Sequence, residues 1–152
     1  MKRIASFTVN HDVLVPGMYT SRVDGDITTY DIRMVVPNCG NYLENATLHT
    51  FEHLFATYAR NSDLASQVIY CGPMGCRTGF YFLVRDMKPE DAIRLVRETM
   101  DFVGSFNGEI PGASRRECGN YREHDLTGAK AIAEKMTSVL ADWTPARLVY
   151  PE

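Results

Sequence analysis

The sequence predicts an α+β domain, an antiparallel sheet with helices packed on one face. Three observations predict it. Segments with apolar residues at every second position alternate with segments patterned at the helical repeat. The strand-like segments come in runs joined by short turns, which favours antiparallel pairing. No Pro/Gly/Ser linker, internal repeat or low-complexity stretch divides the 152 residues, so 1–152 reads as one domain.

Thr29 to Val36 reads as a strand with Tyr30, Ile32, Met34 and Val36 on one face. Asp31 and Arg33 fall on the other, facing solvent or a polar site. The turn residues Pro37-Asn38-Cys39-Gly40-Asn41 end it. Asn45 to Arg60 reads as a helix with Asn45 as N-cap. Gln67 to Tyr70 and Gly79 to Arg85 read as strands around a tight loop, Cys71 to Thr78. Pro89 to Phe102 is a helix with Pro89 in its first turn and an acidic start at Glu90 and Asp91. Its stripe of Ile93, Val96, Arg97 and Met100 is interrupted by Arg97. Pro111 to Glu123 is polar and irregular. Leu126 to Asp142 is a third helix, with Asp125 as its cap, and Arg147 to Tyr150 reads as a last strand.

The net charge of -3 leaves no basic surplus for neutralising phosphates, so no nucleic-acid partner is expected. No run approaches the ~18 apolar residues of a membrane span, so no membrane partner is expected either. Lys2 and Arg3 are not followed by an apolar stretch, which argues against a signal peptide and for a cytoplasmic protein. In that reducing compartment the four cysteines, Cys39, Cys71, Cys76 and Cys118, suit metal ligation or catalysis better than disulfides.

The strongest chemical signal is His49-Thr50-Phe51-Glu52-His53, an H-x-x-E-H pattern on an expected helix. With a helical step of about 100° and His49 at zero, His53 lies at about 40° and Glu52 at about −60°. Two imidazoles one turn apart can chelate one divalent ion, and the carboxylate beside them can hold or move a proton. Phe51, Phe55 and Tyr58 fall on the far side, toward a core. The competing reading is two histidines spaced four apart by chance, a poorer account of the whole constellation.

A catalytic metal usually takes three protein ligands. The third is open among Cys118, Cys76, Cys71, His11 and His124. Cys118 has Gly119 beside it, which gives close backbone access to the sulfur, although a buried structural cysteine is as good a reading. Cys76 sits in a Gly-rich loop ahead of Arg77, a context for a nucleophile, an acid/base group or a ligand. A hairpin cysteine without a role, or one bonded to Cys71, is the plainer alternative.

Several segments together resemble the S-ribosylhomocysteine lyase family. They are Ser6 to His11, Tyr30 to Arg33, the His49–His53 motif, Gly72 to Tyr81 and Glu117-Cys118-Gly119, in the family's order over nearly the whole chain. The resemblance implies a homodimeric metalloenzyme with sites at the subunit interface. It would cleave S-ribosyl-L-homocysteine to L-homocysteine and 4,5-dihydroxy-2,3-pentanedione, the autoinducer-2 precursor, in the activated methyl cycle. By that pattern His49, His53 and Cys118 match the ligands of one divalent metal per subunit, Fe2+ with Zn2+ or Co2+ able to replace it. Glu52 and Cys76 match the general acid/base pair. Ser6, His11 and Arg33 match substrate-holding residues. From pattern alone, an ion pair of Arg33 near Asp31 is an equal reading.

The sequence departs from that family in two places. Tyr70-Cys71-Gly72 stands where Asp-Ile-Ser is common, so an acidic residue is missing before the active loop. Cys71 is an added thiol that could trap Cys76 on oxidation. Phe51 replaces a usual Leu on the core face, where it should affect packing only. Two rivals remain. One is a zinc peptidase, which also uses H-x-x-E-H but has no need of Cys76. The other is a non-enzymatic module whose metal is closed in by His49, His53, Cys118 and Cys76.

Overall fold

In the computed structural model, which describes residues 1–152, four strands form one antiparallel sheet. They are β1 (Gly17–Asp24), β2 (Ile27–Arg33), β3 (Val68–Pro73) and β4 (Gly79–Arg85), in the order β1-β2-β4-β3. Helices α1 (Asn45–Asn61), α2 (Pro89–Ser105) and α3 (Leu126–Leu140) complete the α+β architecture. No helix is long and apolar enough to cross a membrane.

The pleat of β2 and β4 decides where everything else goes. Tyr30 pairs with Phe82 and Ile32 with Phe80, so four large apolar side chains line one face. Helix α1 buries Phe51 and Phe55 against them, with ring centroids 4.8 Å apart for Phe51–Phe80 and 5.3 Å for Phe55–Phe82. The expected core face of α1, Phe51 included, is thereby borne out. The same contact turns His49, Glu52 and His53 away from the sheet. Helices α2 and α3 pack against α1 and each other in the same core.

The sequence reading missed β1. Its signal is the two-residue Gly25-Asp26 turn, with Gly25 at φ +64°, which closes a hairpin onto β2. Strand β2 spans Ile27–Arg33 rather than Thr29–Val36, and Val36 is 41% exposed, so the expected alternation fails after Met34. There the chain leaves the sheet, and the amides of Met34 and Val35 both donate to the Thr78 carbonyl. The polar face of β2 is sealed rather than solvated: Asp31 is 1% exposed and Arg33 3%.

Other boundaries also move. Glu44, not Asn45, is the capping position of α1, and no side chain bonds there. A 3-10 turn at Ala65–Gln67 precedes β3, and a bulge between Val68 and Tyr70 turns Tyr70 outward and Cys71 into the core. In α2 the buried stripe runs through Ala92, Leu95, Val96, Thr99, Met100 and Val103, so Arg97 stays outside it, exposed. No last strand forms at Arg147–Tyr150. Pro145 starts a 3-10 turn instead, and Leu148 accepts a single backbone bond from Thr20. Strand β4 and the Asp125 cap agree with expectation.

That cap does two things. One Asp125 oxygen accepts the Gly128 amide at 2.9 Å and the other accepts the Thr47 hydroxyl of α1 at 3.0 Å. Losing an N-cap costs typically ~1 kcal/mol, and the second bond adds to it. Asp125→Ala is therefore expected to lose about 1–2 kcal/mol in urea melts. A change below a few tenths would show that the cap is idle.

Candidate metal and acid/base site

Two carbonyls fix the histidines of α1. His49 Nδ1 lies 2.8 Å from the Glu123 carbonyl oxygen and His53 Nδ1 2.7 Å from that of Pro111. A carbonyl only accepts, so both Nδ1 atoms are donors and both Nε2 atoms keep a free lone pair. This is the arrangement by which metal-ligating histidines are held. Both carbonyls belong to the irregular stretch between α2 and α3, which also delivers Cys118. Its Sγ lies 3.3 Å from His49 Nε2 and receives the Asn120 amide at 3.4 Å.

A fourth residue joins them. Ligand-type atoms of His49, His53, Cys118 and His124 all lie within 4.8 Å of one another. The His124 ring stacks on that of His49 at 4.1 Å and meets that of His53 edge-on at 4.9 Å. Burial, and then the fields of His49 and His53, push its pKa below the usual imidazole value. Two nitrogen lone pairs and a sulfur converging in one place fit Fe2+, Co2+ or Zn2+. Of the candidate third ligands, the fold brings in Cys118 and His124 but not Cys76, Cys71 or His11.

Cys76 forms a second cluster. Its Sγ is 3.0 Å from the Thr78 hydroxyl and 4.0 Å from Arg33 NH1. The same NH1 donates to Thr78 at 2.5 Å. Arg33 also grips Asp31 through Nε at 3.1 Å and NH2 at 2.6 Å, and Tyr150 donates to that carboxylate at 2.8 Å. Burial works against the Arg33 charge, but the hydrogen bonds and field of Asp31 outweigh it and raise its pKa. The approach depends on Gly79, where a Cβ would run into the Ile32 carbonyl. Thr78 and Tyr150 were not singled out from sequence. The two-residue spacing from Cys76 to Thr78 was the available hint for the first.

Glu52 stands between the clusters. It shares a cavity with His49 of the metal group and with Met74, Gly75 and Arg77 of the Cys76 loop. Its charge reaches β3: burial first and then Glu52 push the Cys71 thiol up, and the Tyr70 hydroxyl likewise. All four cysteines are free, with Cys71 buried and Cys76 exposed, so no Cys71–Cys76 bond forms. Tyr70 lays its ring over Gly72, where any Cβ would collide with it.

Ser6 and His11 lie apart. Ser6 lines a depression on the outer face of the sheet with Arg22, Thr29, Tyr70 and Tyr81. His11 Nδ1 bonds the Val9 carbonyl at 3.0 Å. Neither lines the Glu52 cavity nor joins the metal group.

Comparison with known proteins agrees with this geometry. The model of the S-ribosylhomocysteinase (LuxS) family matches residues 4–146. The S-ribosylhomocysteine lyase of Clostridium beijerinckii is 48% identical over 99% of this chain and 99% of its own length. That of Finegoldia magna is 45% identical over the whole of both chains, and that of Borreliella afzelii 43% identical over 99% and 100%. A match over nearly every residue, around a ligand group of the right donors, means that this chain belongs to the S-ribosylhomocysteinase (LuxS) family.

Proposed function

We propose that this chain cleaves S-ribosyl-L-homocysteine to L-homocysteine and 4,5-dihydroxy-2,3-pentanedione. The observation that carries the reading is the pair of Nε2 lone pairs on His49 and His53, converging with Cys118 beside Glu52. His49, His53 and Cys118 hold one divalent metal, Fe2+ in our reading, with Zn2+ or Co2+ as replacements. When bound, that ion supplies a Lewis acid for the negative charge that carbonyl migration creates.

The thioether leaves from a carbon that at first has no acidic neighbour. The carbonyl therefore moves from C1 to C2 to C3 of the sugar, and each shift takes a proton from one carbon and gives one to another. We give that work to Glu52 and Cys76. Glu52 reaches the substrate from the cavity beside His49, and Cys76 from the loop held by Thr78 and Arg33. Two bases on different sides can pass protons between adjacent carbons without either crossing the sugar. With the ketone at C3, removal of a proton α to it expels homocysteine by β-elimination. Arg33 has its Nε and NH2 committed to Asp31, so it serves from below, steadying Cys76.

We assign Ser6 and His11 to the substrate site of a partner subunit. Their absence from the metal group and from the Glu52 cavity of one chain supports this, as do the exposed apolar residues Ile4, Phe7, Val13 and Val15 of the same segment. The active unit is then a homodimer. Mixing inactive His11→Ala and Cys76→Ala dimers should restore about a quarter of native activity through hybrids with one intact site. No recovery after exchange would place each site within one subunit. Four free cysteines suit work in the reducing cytoplasm.

The function itself is tested with S-ribosylhomocysteine and a chromogenic disulfide that reports free thiol. The native protein should release thiol, a metal-stripped sample should not, and added Co2+ should restore release. A folded, metal-loaded protein that releases none would overturn the proposal.

A further inference from the structure

His124 is not needed by the three-ligand set or by the proton-moving pair. Its Nε2 is nonetheless the only buried side-chain nitrogen or oxygen in the chain without a hydrogen-bond partner. Such a group calls for an explanation, because buried polar atoms are otherwise almost always paired.

Which proton the ring carries follows from its neighbours. The Asp125 amide donates to Thr50 Oγ1 at 2.8 Å. Thr50 is fully buried, so its own hydroxyl hydrogen needs an acceptor. Thr57 and Thr99 give theirs to the carbonyl four residues back, His53 and Leu95. Thr50 makes no such bond, and its one remaining partner is His124 Nδ1 at 3.0 Å. The relay runs from the Asp125 amide to Thr50 and from Thr50 to Nδ1. Nδ1 is then an acceptor, and the neutral ring holds its proton on Nε2. This is opposite to His49 and His53, whose Nδ1 atoms donate to carbonyls. Three imidazoles thus present two lone pairs and one N–H to the same space.

Resting on the lyase reading, we infer that His124 is a catalytic hydrogen-bond donor whose Nε2–H binds an oxygen of the substrate's sugar portion. It is not a fourth metal ligand, so His49, His53 and Cys118 remain the residues that would hold the ion. The His124 side chain lines the cleft of Pro111, Gly112 and Tyr121, its Nε2 is buried toward His49, His53 and Cys118, and Glu52 lines a different cavity. A donor already oriented before the carbonyl gathers negative charge needs no rearrangement when that charge develops.

The tautomer is read directly by nitrogen NMR of the zinc-loaded enzyme. His124 should show a protonated Nε2 and a bare Nδ1, and a proton on Nδ1 or a metal-bound Nε2 would overturn the inference. His124→Ala loaded with Co2+ should keep full metal content and native visible absorption bands. Its kcat should fall about 100-fold with KM little changed, the usual scale for one lost donor of this kind. His124→Gln, whose amide can donate, should recover part of it. Thr50→Val should lower kcat about 10-fold with metal retained, as outer-shell changes do. Lost metal or shifted cobalt bands in His124→Ala would make His124 a ligand and sink the donor role, as would an unchanged kcat. If the native enzyme releases no thiol, the lyase reading fails, while the NMR and cobalt spectra still decide how His124 faces the site.

Discussion

Cys76→Ala should keep its bound metal and lose turnover by about 10³-fold, within the range for removal of a general acid/base group. Cys118→Ala should instead lose the metal and turnover together. The contrast follows from where the two sulfurs sit. Cys118 lies 3.3 Å from His49 Nε2, within the metal group. Cys76 is outside that group and is held by Thr78 at 3.0 Å, beside Arg33. A closed structural site of His49, His53, Cys118 and Cys76 would behave differently, because Cys76→Ala would release metal. A peptidase would keep its activity in Cys76→Ala. Metal content by atomic spectroscopy and thiol release from S-ribosylhomocysteine, measured on the same samples, separate the three. Retention of metal with native turnover in Cys76→Ala would remove Cys76 from the chemistry altogether.

How much of this was legible in the sequence varies with the range of the interaction. Helix α1 was legible because its signal is local: one face carries Phe51 and Phe55, the other His49, Glu52 and His53, and the helical repeat fixes both. Strand β4 was legible for the same reason, through its aromatic run at Phe80, Tyr81 and Phe82. Strand β1 was not, because a bulge between Thr20 and Arg22 breaks its alternation. The segment Arg147–Tyr150 looked like a strand from its composition. Trp143 anchors that end by donating to the Met18 carbonyl, and Tyr150 turns to Asp31, so tertiary contacts took the place of pairing. At the site, spacing within one helix gave His49, Glu52 and His53. The partners of Cys76 and His124 come from residues such as Arg33 and Thr50, 43 and 74 positions away, and no local pattern carries those. Composition likewise could not say whether Asp31 and Arg33 face water or each other.

They face each other, and that makes Asp31 the residue on which the fold and the site most depend together. Its carboxylate takes two donors from Arg33 and one from Tyr150, all on the sealed side of β2. An ion pair exposed to water contributes ~1 kcal/mol or less, but one withdrawn from water is different. Removing one partner leaves the other as an uncompensated buried charge, at a cost of about 3–5 kcal/mol. Asp31→Ala should lose that much in urea melts, a large part of the ~5–15 kcal/mol total of an ordinary domain. The double variant Asp31→Ala/Arg33→Met removes both charges and should be more stable than Asp31→Ala alone, and the cycle completed with Arg33→Met should give a coupling of about 1–3 kcal/mol. A loss below ~1 kcal/mol in the single variant would mean that water reaches the pair. The double variant should still bind metal, because His49, His53 and Cys118 take no bond from Arg33. It should turn over slowly, because NH1 no longer holds Thr78 beside Cys76. Stability regained with activity still depressed would separate the two roles of this pair: holding the outer face of the sheet shut, and holding the Cys76 loop in place.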